Sequence, residues 1–190
     1  AMRDGQALEV VILLNANENE KVLDKLDKRY WEFAPSDQDK AAQMLGHMCT
    51  ALLAWYKAQV ADQARRADTK LLVASWPRIQ AAYEIWKTQK ARLTQQEDAC
   101  LRHGAKIAYV FNVIANFQVP AMRQQPDAPA GLVDIGREAA RAYADLIEPT
   151  LADDSKPDLM LQVGNVLWDL DEHERACRLF ELYLKTLGND

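Results

Sequence analysis

Apolar residues recur every three or four positions along most of this chain, the period of an amphipathic helix and not of a half-buried strand. The longest stripe lies in "AAQMLGHMCTALLAWYKAQV", where Leu45, Met48, Leu52, Trp55, Tyr56 and Val60 share one face. It predicts a long helix opened by Ser36 or Asp37 as N-cap, with a charged tail reaching about Arg66. Upstream, "GQALEVVILLNA" and "NENEKVLDKLDKRYWEF" predict a helical hairpin whose second arm turns Val22, Leu23, Leu26, Tyr30 and Phe33 inward. Ala34-Pro35-Ser36-Asp37 then breaks the pattern.

Downstream, Pro77 sets the expected start of the next helix near Trp76 and its end near Leu93, because proline fits a first turn and disrupts an interior one. Thr94-Gln95-Gln96-Glu97 has the spacing of a capping box and predicts a new helix running to about Phe117, with Leu101, Ile107, Phe111 and Ile114 in its core stripe. The stretch "VPAMRQQPDAPAG", Val119 to Gly131, holds three prolines and no period. It predicts a linker, subdividing a single all-α domain over 1–190 into divergent hairpins in 1–118 and a C-terminal unit in 132–190. That unit is expected to contain one helix with Ile135, Ala139, Tyr143 and Leu146 inward, a polar connection, and two final helices.

Composition changes this picture little. A chain of 190 residues, 49% hydrophobic and 27% charged, can bury one core or a short stack of helical units. The run "VVILL" falls far short of the roughly 18 apolar residues of a spanning helix, so no membrane span is expected. Three widely spaced cysteines, Cys49, Cys100 and Cys177, suit buried, reduced thiols better than a disulfide framework, which favours the cytoplasm.

A net charge of −5 argues against nucleic acid as a partner. The charge is uneven: Lys57 to Lys106 carries ten Lys and Arg against five Asp and Glu, whereas Leu132 to Asp190 carries six against thirteen. Solvated helix faces account for both, and a basic surface for an acidic partner is the sharper alternative.

Catalytic signatures are missing. No phosphate-binding glycine loop, nucleophile elbow or zinc-protease motif occurs. Cys100 and His103 fall at i, i+3 on one helix face, but two ligands are fewer than a zinc site needs, and both are expected to be structural. The acidic run Asp169, Asp171, Glu172 and Glu174 lacks the glycine and spacing of a calcium loop and reads as a solvated turn, with His173 packing beside it. The expectation is therefore a non-enzyme, with no catalytic residue, no metal and no cofactor.

The most informative stretch is "LMLQVGNVLWDLDEHERACRLFELYLKTLG", residues 159–188. Its small residues, Gly164 and Ala176, fall where two antiparallel helices can approach closely, with Phe180 and Tyr183 filling the gap beyond. In Met160, Val163-Gly164, Leu167, Ala176 and Phe180 it resembles a tetratricopeptide repeat (TPR). It departs from that pattern at Leu167 for an aromatic, Tyr183 for a small residue and Gly188 for the closing proline.

The resemblance implies a TPR-like superhelix of antiparallel hairpins with divergent N-terminal repeats, acting as a protein-interaction or assembly module. It implies a groove for a protein or peptide partner, lined by the first helix of each repeat, here Asp158, Leu161, Asn165, Trp168 and Asp169. Asn165 matches the asparagine that many family members use to hold a peptide backbone, whereas Leu161 stands where a lysine is frequent. The alternative is a regulatory or homo-oligomerisation bundle that covers a face such as Leu45/Met48/Leu52 with a second copy.

Overall fold

Every regular element is helical in the structure, a computed structural model that describes residues 2–25, 37–151 and 156–188. The helices are α1 (Met2–Asn15), α2 (Asn19–Leu23), α3 (Gln38–Gln59), α4 (Gln63–Arg66), α5 (Thr69–Arg92), α6 (Glu97–Val113), α7 (Val119–Met122), α8 (Leu132–Ile147), α9 (Pro157–Asp169) and α10 (His173–Leu187). Two compact units, Ala1–Val110 and Phe111–Asp190, divide within α6, ahead of the proline-rich stretch.

In the first unit the long stripe of α3 forms the core. Leu45, Met48 and Leu52 are fully buried, and Trp55, Tyr56 and Val60 nearly so, within a single chain. That face is already covered and is not open to a second copy. Leu26, Tyr30 and Phe33, like the break at Ala34-Pro35-Ser36, lie outside the described residues.

Helix α5 begins earlier than Pro77 suggests. Asp68 caps it by accepting hydrogen bonds from the backbone N–H groups of Lys70 and Leu71, and Pro77 lies in its interior. Burial of Leu72, Trp76 and Ile79 on one side of this segment supplies what the proline withholds. The capping box before α6 does not form: Thr94–Gln96 is a short 3-10 turn without a side-chain cap, closed by Gln96 N–H donating to Leu93 O, and Gln95 N–H donates to Gln38 Oε1.

The helix also continues past Phe117. Ile114–Gln118 is a π-turn in which Val119 N–H donates to Ile114 O, five residues back, and α7 follows directly. The wide turn takes Pro120, which has no N–H to give, into the helical run without a break. Only from Arg123 does the stretch become the irregular connection its prolines predict.

Two hairpins, α1–α2 and α9–α10, turn by the same device. Asn17 and Asp171 adopt left-handed backbone at φ 57° and 64°. In the first, Asn17 N–H donates to Leu14 O and Glu18 N–H to Leu13 O; in the second, Asp171 N–H donates to Trp168 O and Glu172 N–H to Leu167 O. This is a Schellman closure with Asn or Asp in place of glycine, the two residues that enter the left-handed region most readily. Aligned on these turns, "NENEKV" and "DEHERA" match in both glutamates, in the basic residue and in a buried Val22 or Ala176.

Candidate functional site: the outward face of α9

Helix α9 starts at Pro157, which suits a first helical position, and carries Asp158 in its first turn. Its buried residues, Met160, Val163, Gly164 and Leu167, keep the i, i+3, i+4, i+7 spacing of a single inward stripe. At Gly164 the approach is tight: a Cβ would stand 2.5 Å from Phe180 Cε1, and its three nearest neighbours would all be Phe180 atoms. The close contact is thus glycine to aromatic ring, not Gly164 to Ala176. Ala176, fully buried, serves the same interface one turn away.

Asp158, Leu161, Asn165, Trp168 and Asp169 are all left outward and exposed, as is Gln162. Leu161 is 37% and Trp168 49% accessible, although both are large and apolar. The Trp168 ring leans on His173 at 4.5 Å and Phe180 at 6.4 Å between centroids, so it is held against α10 with part of its surface open. Trp55, Trp76 and Trp86, by contrast, are buried in the first unit.

Asn112, Asn116 and Gln162 were not legible as part of this surface. Gln162 Nε2 donates to Asn112 Oδ1 at 3.4 Å, and Asn116 Nδ2 donates to the same oxygen at 2.6 Å. A row of side-chain amides therefore runs from α9 onto the end of α6 and the π-turn, where Phe117 is 64% exposed. The sequence signal lay in the unusual density of amides in "FNVIANFQ", which helical periodicity alone assigns to a core helix.

The acidic turn is structured rather than merely solvated. Arg175 donates to Asp145 Oδ1 at 2.8 Å, to Glu172 Oε2 at 2.5 Å and to Glu148, while Arg141 reaches Glu172 Oε1 at 2.9 Å and Arg137 reaches Asp171 at 3.5 Å. Partial burial works against the charge on Glu172, but hydrogen bonds from Arg141 and Arg175 outweigh it and lower its pKa. Burial likewise opposes the charge on Arg175, and its carboxylate partners Glu148, Asp145 and Glu172 more than compensate, raising its pKa. These contacts fix α8 against the α9–α10 turn on one side and leave the outward stripe of α9 uninvolved.

Cys49 and Cys100 are buried, and burial pushes both thiols up, away from the reactive thiolate. Cys177 departs from expectation: it follows Ala176 on α10, one residue off the buried stripe, and is exposed. His103 lies over Gly46, where a Cβ would meet its Cε1 at 2.6 Å. Among the described residues no group of three His, Cys, Asp or Glu could hold a metal ion, and no helix is long and apolar enough to cross a membrane.

No family model, curated protein or solved structure matches the chain.

Proposed function

We propose that this chain is a protein-interaction module that holds a peptide or a partner's surface on the outward face of α9, within a TPR-like arrangement of helical hairpins. One observation carries the reading: Leu161, Asn165 and Trp168 are exposed together on the face of α9 opposite its buried stripe. The fold uses one side of the Trp168 ring against α10 and leaves its other side and the Asn165 amide open, and an interface gains from both. The TPR resemblance of residues 159–188 supports the same face, since the family lines its groove with the first helix of each repeat. Leu161 in place of a lysine removes the cation that would hold a terminal carboxylate, so the reading is for an internal segment of the partner.

Affinity capture from native cell extract tests it, with wild type beside Asn165→Ala and Trp168→Ala. Both variants keep a helical spectrum and cooperative melting and lose the captured polypeptides. Full retention of every captured species by both variants overturns the reading.

A further inference from the structure

Resting on that reading, we infer that the α9 face takes a segment of opposite charge, an extended stretch bearing Lys or Arg beside an apolar side chain. The argument begins with where the arginines of this unit are used. Arg137, Arg141 and Arg175 neutralise Asp171, Glu172, Asp145 and Glu148 on the side facing α8. At the two ends of the outward stripe, Asp158 and Asp169 are exposed and make no ion pair among the described residues. Residues 132–190 carry thirteen acids against six bases, a net negative charge that favours the approach of cations.

Position separates the two aspartates. Asp158 lies in the first turn of α9, where a carboxylate favours the helix by itself. Asp169 is the last residue of α9, next to the negative end of the helix dipole, and that last turn holds no basic residue. Its charge opposes α9, so that helix gives no account of it. Beside it, Trp168 offers open ring surface, which attracts an ammonium or guanidinium group. Between the ends lie the amides of Asn165, Gln162, Asn112 and Asn116, with donors and acceptors for an extended backbone.

The test uses the full chain and three short fluorescein-labelled peptides of one apolar pattern, with Lys, Gln or Glu at every second position, followed by fluorescence anisotropy. The Lys peptide binds most tightly and the Glu peptide most weakly, and added salt narrows the gap. Asp158→Asn with Asp169→Asn weakens the Lys peptide by roughly two- to fivefold per charge and leaves the Gln peptide unchanged. Asp169→Asn alone raises the melting temperature slightly while weakening the Lys peptide, a pairing that a structural role would not give. Equal binding of Lys and Gln peptides, or a preference that survives the double substitution, overturns the charge assignment. In either case, weakening of both peptides by Trp168→Ala leaves the docking face standing. Failure of Trp168→Ala to weaken any of the three removes the docking face and this inference with it.

Discussion

The ring of Phe180 lies against Gly164 so closely that a single added carbon on the glycine would come within 2.5 Å of it. This contact sets how near α9 and α10 approach, and with it the direction in which Trp168 points. Gly164→Ala must displace the ring, and because Phe180 is only partly buried it can move outward at a cost of about 1 kcal/mol. Ala176→Leu, at a fully buried site, should cost more, about 1 to 3 kcal/mol. Thermal or urea melts of the two variants check the order; equal, negligible effects would mean that the hairpin is not closely packed.

Acid should loosen the C-terminal hairpin through Glu172. Its pKa is lowered in the folded state, so its contribution is present above the ordinary carboxylate range and is lost as pH falls through the folded value. With His47 and His103 replaced by Gln, so that this share stands alone, melting temperature should hold from neutrality to about pH 4 and drop below it. Arg175→Gln should lower stability at neutral pH by about 1 to 3 kcal/mol, since it takes one charged hydrogen-bond donor from each of Asp145, Glu148 and Glu172, and should flatten the acid limb.

The histidines of the first unit act in a higher window. Burial lowers the pKa of both His47 and His103, and Lys106 lowers each further, with Arg102 and His47 adding to the effect on His103. His47 Nε2 and His103 Nδ1 are buried without a hydrogen-bond partner. The unfolded chain therefore takes up protons first as pH falls below about 6.5, and stability declines there. His47→Gln with His103→Gln should make urea midpoints at mildly acidic and neutral pH converge; a slope unchanged by the pair would assign the effect elsewhere.

Helical periodicity was enough to find the long helices and their buried faces among the described residues, though not the π-turn or α7. The stripes of α3 and α8 are buried as spaced, because a continuous apolar face leaves one way to turn. Local rules misplaced the boundaries where other contacts overrode them: Pro77 sits inside α5, and Thr94 caps nothing in a 3-10 turn where Gln96 N–H donates to Leu93 O and Gln95 N–H to Gln38 Oε1. The five stripe residues of α9 came from the TPR resemblance, and all five are exposed, since a stripe buried at Met160, Val163, Gly164 and Leu167 leaves those positions outward. The amides of Asn112 and Asn116 were not legible, since joining them to Gln162 requires contacts some fifty residues apart in sequence.

Thiol labelling separates the cysteines. Cys177 should react with a maleimide at once in the native protein, and Cys49 and Cys100 only on unfolding. Mass spectrometry of peptides labelled before and after urea reads this directly, and native labelling of Cys100 would contradict its burial.

Asn165→Ala should change stability by about 1 kcal/mol or less, because its side chain is exposed, and Trp168→Ala by about 1 to 2 kcal/mol, because half of its ring packs on His173 and Phe180. Unfolding of Trp168→Ala at ordinary temperature would instead make Trp168 part of the core of the hairpin.

The central claim, that the outward face of α9 receives a partner, is tested most directly by proximity. A photo-crosslinking amino acid at position 165 should, on irradiation in native extract, join the chain to another polypeptide. The same group at Arg178, exposed on α10 outside the stripe, should not. Adducts from position 165 that disappear when Trp168 is also replaced by Ala are the result this account predicts. Adducts from Arg178 alone, or from both positions with no dependence on Trp168, would contradict it.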